Sequence, residues 1–102
     1  MVEYIYRGRD NTIDLQLRDD SSGVMAAADL SATTQMQLII GDTTIDSDTS
    51  PDAFDWSAGG GVLVLTLGDE DLTPGDYKAE LIVFAPAYPD GLHWAYFKVT
   101  VK

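Results

Sequence analysis

The sequence predicts an all-β protein, an antiparallel β-sandwich of seven to eight strands with one short helical turn. Short stretches of alternating apolar and polar residues recur along the chain, and this period of two is typical of strands that bury one face. Turn residues separate the stretches about every ten residues, and no helical periodicity lasts longer than one turn. The 102 residues suit one domain spanning residues 1–102.

The stretch of residues 61–84 holds the two most apolar runs, and we expect the fold to be organised around it. Three leucines at alternate positions share one face of a strand over residues 62–67, which should be central in its sheet. Residues 69–72 begin with acidic side chains and suit one turn of helix, which Pro-Gly then ends. A second strand over residues 77–84 turns four alternate residues to the core: Tyr77, Ala79, Leu81 and Val83.

The first part of the chain contains three further strands. Residues 2–7 form a short strand that suits a sheet edge, and residues 34–40 form a later one that ends at Gly-Asp. Residues 24–33 between them have mixed signals and are interpreted as a meandering connection. The strand over residues 12–18 is the most regular, and its inward side chains are Ile13, Leu15 and Leu17.

The segment before the central strand is expected to lie at the border of the core. Residues 43–46 suit a short edge strand, and residues 47–52 are typical of a loop in every residue type present. Phe54 and Trp56 then form an alternating pair that should cover one edge of the core.

The end of the chain is predicted to be a long hairpin. Residues 85–91 should form its loop, because two prolines remove ladder donors and Asp-Gly is a turn signal. The strand over residues 93–102 closes the sheet. Centring the loop sets the inner pairs Leu81 with Phe97, Ala79 with Val99 and Tyr77 with Val101, and the outer ion pair Glu80 with Lys98.

The same register predicts an apolar patch on the outer side of the hairpin. Its members are Ile82, Phe84, Trp94 and Tyr96. On a protein surface such a patch usually marks a contact site, so we predict that these residues form an interface. The alternative is that a connection, such as residues 24–33, covers the patch.

The composition narrows the function classes. Six Lys and Arg stand against seventeen Asp and Glu, giving a net charge of −11, which argues against nucleic-acid binding through phosphate neutralisation. Twelve of the seventeen acids fall between Arg18 and Lys78, where no basic residue occurs, and a solvated acidic surface is the simplest interpretation. The start of the chain has neither a signal-peptide pattern nor a membrane-spanning run, and no cysteine is present, so no membrane partner and no disulfide is predicted.

Residues that could perform catalysis are scarce, so no enzyme activity and no cofactor is predicted. The single histidine, His93, has no local partner for nucleophilic catalysis and is interpreted as a surface residue. Calcium prefers several oxygen ligands, and the crowded carboxylates are weak candidates for such a site, although their spacing is not that of an EF-hand and a solvated loop is favoured. These candidates are Asp42, Asp46, Asp48, Asp52 and Asp55.

Four aromatic residues offer another possibility. As in sandwich-type carbohydrate-binding modules, they could form a flat platform for sugars, although core and interface roles are commoner for aromatics. They are Trp56, Tyr88, Trp94 and Tyr96.

The strand pattern favours an immunoglobulin-like topology among sandwiches. Tyr77 lies where such sandwiches place a corner tyrosine, whose hydroxyl bonds backbone a few residues upstream. A plain core tyrosine is the alternative.

A more specific resemblance extends over nearly the whole chain. The segments that carry it are Tyr6-Arg7-Gly8-Arg9-Asp10-Asn11-Thr12, Leu15-Gln16-Leu17-Arg18-Asp19, Gly23, Asp29-Leu30-Ser31 and Leu72-Thr73-Pro74-Gly75-Asp76-Tyr77. Together they resemble the immunoglobulin-like N-terminal domain of phage baseplate upper proteins and related small structural proteins of tailed phages. In those proteins the domain typically heads a longer chain, whereas here the last strand ends at Lys102. The family offers no catalytic residues.

The resemblance implies a non-enzymatic virion structural or assembly protein of the tail, baseplate or head-tail junction. We expect such a protein in the virion, and in the host cytoplasm during assembly, bound to copies of itself or to other phage structural proteins. The net charge supports an alternative, an acidic inhibitor that mimics DNA and occupies a nucleic-acid-binding enzyme. A sugar-binding sandwich module is the third possibility.

Overall fold

Ten strands and one 3₁₀ helix form the secondary structure of the described residues, which are 2–9, 12–19, 26–27, 30–57, 59–68, 70 and 72–102 of the computed structural model. The strands are β1 (Val2–Ile5), β2 (Thr12–Gln16), β3 (Arg18–Asp19), β4 (Ala26–Ala27), β5 (Gln35–Ile40), β6 (Thr43–Asp46), β7 (Phe54–Asp55), β8 (Val62–Thr66), β9 (Gly75–Ala85) and β10 (Tyr88–Val101). The all-β prediction is confirmed. The number of strands exceeds seven or eight because β3, β4 and β7 span only two residues each.

The strands build a sandwich from two main sheets. The larger sheet has the order β1-β10-β9-β5-β6 and the smaller one the order β2-β8-β7, while β3 and β4 pair with each other. The strands predicted at sheet edges, β1 and β6, lie at the two edges of the larger sheet. The prediction of a wholly antiparallel protein is wrong for one pair, because β1 runs parallel to β10.

The two strands of the 61–84 stretch are the middle strands of the two main sheets. The prediction of a central strand is therefore confirmed for β8, and β9 occupies the same position in the other sheet. Leu63, Leu65 and Leu81 are completely buried, and buried residues of both sheets form one cluster. No buried side chain among the described residues is polar, so apolar burial holds the two sheets together.

The corner between β8 and β9 is closely packed. Gly68 lies against the turn that follows β1, where its carbonyl oxygen accepts a hydrogen bond of 2.7 Å from the N–H of Gly8. A side chain at Gly68 would overlap the carbonyl oxygen of Arg9. The hydroxyl of Tyr77 donates to the carbonyl oxygen of Thr73 at 2.8 Å, which confirms the predicted bond to upstream backbone.

The described part of the chain has its helical turn in another segment than residues 69–72. The described residues contain one helix, a 3₁₀ turn over Pro51–Ala53 that begins at the end of the predicted loop 47–52. Proline suits the first helical position, because its missing N–H would be unpaired there anyway. Of the turn predicted at residues 69–72, Asp69 and Asp71 lie outside the described residues. Within the described part of the chain, no helix has the length and apolar character needed to cross a membrane.

The final hairpin is longer and tighter than predicted. Only Pro86 and Ala87 separate β9 from β10. The predicted loop 85–91 is therefore wrong outside these two residues, because its other residues belong to the two strands. Two register shifts, between Tyr88 and Leu92 and between His93 and Ala95, absorb the extra residues, and Pro89 lies in the first shift, where a missing ladder donor costs little.

The register shifts also change the predicted cross-strand pairs. Leu81 faces Ala95, and Lys98 faces Lys78 rather than Glu80. The other two inner pairs are displaced in the same way, since Phe97 faces Ala79 and Val99 faces Tyr77. The displacement is two residues along this part of the strands, so the inward residues still point inward although each has a different partner.

Leu65→Ala should lower the free energy of unfolding by about 2 to 5 kcal/mol, because it leaves a cavity in the middle of β8. Val64→Thr should cost less, since Val64 is half-buried on the opposite face. Chemical denaturation of the two variants measures the difference. The reverse ranking would contradict the orientation of β8.

Gly68→Ala should destabilise the protein by more than about 2 kcal/mol, because the added methyl group meets backbone that cannot move aside. Gly60→Ala is the control, since Gly60 has a φ of +65° but open space around it. Thermal unfolding compares the two, and we expect the smaller loss for Gly60→Ala. Equal losses would mean that the corner is not closely packed.

Candidate functional site: the outer face of the larger sheet

The outer face is defined as the side of the larger sheet that points away from the core. Alternate residues of β5 and β9 point to it because their neighbours along each strand are buried, and the residues of β10 opposite them share this face. The face has three parts: an apolar centre, a corner that holds lysines and a corner that holds aspartates.

The apolar centre consists of Ile39, Ile82 and Phe84, all half-buried. Gly91 has a φ of +90° and lies directly over two of them, since a Cβ there would come within 2.7 Å of Ile82 Cγ2 and 2.8 Å of Phe84 Cε2. The backbone of β10 itself therefore covers part of the predicted patch. Residues 24–33 were considered as a cover in the alternative to an interface, and their described part includes Leu30, which is buried in the core.

Trp94 and Tyr96 do not lie together as the sequence predicted. Trp94 falls in the second register shift of β10 and packs against the core, so it does not face Phe84. Tyr96 lies on the outer face opposite Glu80 and is 53% exposed, the largest fraction among the exposed large apolar residues. The structure thus places Ile82, Phe84 and Tyr96 on one face, and their role in an interface stays a prediction.

The lysine corner consists of Lys78, Lys98 and Lys102, which are all the lysines of the chain. Lys78 and Lys98 are direct cross-strand partners. The Lys78 ammonium lies 4.2 Å from the ring centre of Tyr96, and the Lys102 ammonium lies 5.3 Å from that of Tyr4, which are cation–π distances. Tyr4, Lys78 and Lys98 line one groove on this part of the face.

Glu80 and His93 form a close side-chain contact on this face. His93 Nδ1 lies 2.9 Å from Glu80 Oε2, and the ring of His93 also contacts that of Tyr96, with 4.5 Å between ring centres. The predicted pair of Glu80 with Lys98 does not form, and His93 is exposed, as expected of a surface histidine. The side chains are 46% and 27% exposed, so this pair contributes little to stability.

The aspartate corner consists of Asp46 and Asp48 beside the outer edge of the sheet. The Asp46 carboxylate accepts hydrogen bonds from the Gln35 and Gln37 side-chain amides and from the N–H of Asp48, all at 2.7 to 2.8 Å. Burial acts to raise the pKa of Asp46, but the hydrogen bonds from Gln37, Asp48 and Gln35 outweigh it and hold the pKa below its ordinary value.

The remaining calcium candidates lie in other strands and turns. Asp42 lies in the turn between β5 and β6, and Asp52 lies in the 3₁₀ helix. The Asp55 carboxylate accepts hydrogen bonds from the hydroxyl and the N–H of Ser57, which lower its pKa. No group of three or more acidic or histidine side chains within the described ranges is arranged to hold a metal ion.

The four aromatic residues considered for sugar binding do not form one platform. Trp56, Tyr88 and Trp94 are partly buried and pack against the core. Tyr96 alone among the four is a strongly exposed residue. Their distribution therefore gives no flat stacking surface.

The gathering of the lysines on one face was not predicted from the sequence. The signal is present, because Lys78 alternates with buried residues of β9, and Lys98 with those of β10. The parallel pairing of β1 with β10, which brings Tyr4 beside Thr100, has no local signal. Which residues share this surface could therefore not be predicted from the sequence alone.

Comparison of the chain with protein-family models, curated proteins and solved structures finds no match. The resemblance to the N-terminal domain of phage baseplate upper proteins is thus neither supported nor opposed by them, and it stays a prediction. The outer face has to be interpreted from its own geometry.

Asp46→Asn tests the aspartate corner through the pH dependence of stability. Because the folded pKa of Asp46 is lowered, its ionised form stabilises the fold above the ordinary carboxyl pKa of 3.8, and this contribution is lost as the pH falls through the folded pKa. We expect the variant to lose about 1 kcal/mol at neutral pH, and the difference from the native chain to shrink in acid.

Urea denaturation at a series of pH values measures this difference. Asp14→Asn is the control, since it removes the same charge from an exposed position on β2. A deficit of Asp46→Asn that stays constant from neutral pH to strong acid would contradict the role given to the carboxylate.

Proposed function

We propose that this chain is a non-enzymatic structural or assembly protein of a tailed-phage virion, built on an immunoglobulin-like sandwich. It acts by docking to copies of itself or to another virion protein. The observation that carries the proposal is the outer face of the larger sheet, where Tyr96 is exposed beside a half-buried apolar centre.

The strand order supports an immunoglobulin-like topology. In variable-type immunoglobulin domains one sheet has the order G-F-C-C′, and B, E and D are neighbours in the other. The orders β10-β9-β5-β6 and β2-β8-β7 fit these two arrangements strand by strand. The bond from Tyr77 to Thr73 lies at the start of β9, where a corner tyrosine occurs at the start of strand F.

The side chains of the outer face support a docking role. Tyrosine and phenylalanine are enriched at protein interfaces, where they contribute large apolar contacts, and Tyr96 also presents a hydroxyl. Charged residues surround the apolar centre on two sides, as in the rim of a protein interface. The DNA-mimic alternative explains the net charge but not a face on which all three lysines are gathered.

Purification of the phage particles tests the proposal. The chain should remain with density-purified particles at a fixed copy number, as measured by quantitative mass spectrometry. Its absence from the particles would overturn the proposal, as would salt-sensitive inhibition of a nuclease or polymerase.

Variants of the outer face test which surface docks. Ile82→Ser combined with Tyr96→Ser should leave the chain folded but reduce its incorporation into particles at least about tenfold. Val62→Ser combined with Val64→Ser is the matched control, because these half-buried valines lie on the exposed face of the smaller sheet. Equal incorporation of the two double variants would show that another surface docks.

A further inference from the structure

The geometry points to a second copy of this chain as the occupant of the outer face, in a two-fold symmetric dimer in which the lysine corner of each copy contacts the aspartate corner of the other. This inference rests on the proposed docking role and names its partner. Three features of the face lead to it: a pair of lysines opposite each other, the separation of the lysine corner from the aspartate corner, and the apolar residues between the corners.

The lysine corner is built to receive an anion. Lys78 and Lys98 are held directly opposite each other on adjacent strands, an arrangement of like charges that is unfavourable by itself. The two lysines line a groove together with Tyr4 and Asp76, so two lysines face one aspartate there, and a further carboxylate seated in the groove would lie close to both ammonium groups. It would relieve their repulsion and gain two charge-assisted contacts.

The anionic partner with matching chemistry is present on the same molecule. The Asp46 carboxylate is fixed on the outer face by the amides of Gln35 and Gln37, which keep it ionised and oriented. Those bonds occupy most of its acceptor positions, so Asp46 contributes mainly its charge. Asp48, two residues later, is exposed and supplies a carboxylate that can reach an ammonium group.

The two corners lie at diagonally opposite ends of the face. Three strand spacings separate β10 from β6. Asp46 lies opposite Gln37, which lies opposite Ile82, and Ile82 is four residues along β9 from Lys78. The two corners are therefore about 20 Å apart. Ile39 and Ile82 lie between them. A two-fold axis in the plane between two facing sheets places each lysine corner on the aspartate corner of the other copy when it passes through this apolar centre at right angles to the line joining the corners.

The size of the face sets the strength of this dimer. Measured over the full width of four strands and residues 78–84 of β9, the face is about 20 Å by 20 Å and offers about 400 Å² per copy, against about 800 Å² per partner in a standard interface. The dimer should therefore be weak and depend on concentration. The net charge of −11 on each copy opposes association, but charges farther apart than about 8 Å are screened at physiological salt, so the charges at the contacting corners dominate.

A charge swap tests the proposal, with the dimer measured by sedimentation velocity on the purified chain over a range of concentrations. Lys98→Glu and Asp48→Lys should each weaken self-association about tenfold or more, because each change acts at both corners of the symmetric dimer. An equimolar mixture of the two variants should recover association. In the mixed dimer, both charges are reversed at one contact, and the other contact keeps the native charges.

Arg18→Glu is the matched control for net charge. It makes the same change as Lys98→Glu on the exposed side chain of β3, outside the larger sheet, and should leave association unchanged. Circular dichroism confirms that each variant is folded. Lys98→Glu should fold well, because it replaces a like-charge pair with an opposite-charge pair beside Lys78.

Two results would overturn the dimer. One is a native chain that stays monomeric up to the highest accessible concentration. The other is a mixture that associates no better than its separate variants. Neither result contradicts the virion role if the chain is found in purified particles. If the dimer forms in solution but purified particles lack the chain, only the virion role is overturned.

Discussion

The crossing of the chain from one sheet to the other between β8 and β9 is the constraint on which the rest of the fold depends. Both strands are the middle strands of their sheets, so this connection joins the centres of the two sheets. Gly68 lets the crossing lie against the turn after β1, and Tyr77 ties the start of β9 to the backbone of the crossing. Loss of either contact would therefore affect both sheets and not only a local loop.

Local alternation was sufficient to predict most strands, because burial of one face imposes a period of two wherever a strand occurs. The strand with Leu63 and Leu65 was correctly placed at the centre for this reason. The hairpin register was not predictable in the same way, because bulges change the pairing without changing the alternation on either side. Pro89 and Gly91 read as a loop in the sequence, yet they lie in β10 where the ladder is interrupted.

The candidate site was predicted only in part, for a related reason. Ile82, Phe84 and Tyr96 share a face because they keep the period of their strands, whereas Trp94 follows the bulge and turns to the core. The lysines come from β9, β10 and the residue after β10, and the aspartates come from β6 and the turn that follows. A surface assembled from strands so distant in sequence depends on sheet order, which alternation does not encode.

The parallel pairing of β1 with β10 has a consequence for the order in which the sheet forms. The strand pairs of the larger sheet on the other side of β9 join residues much closer in sequence, while β1 and β10 join residues near opposite ends of the chain. The entropy lost on closing a loop grows with its length, so β1 should be the last strand to join the larger sheet. We therefore expect the amide hydrogens of β1 to exchange with solvent before those of β9, through opening of this edge alone.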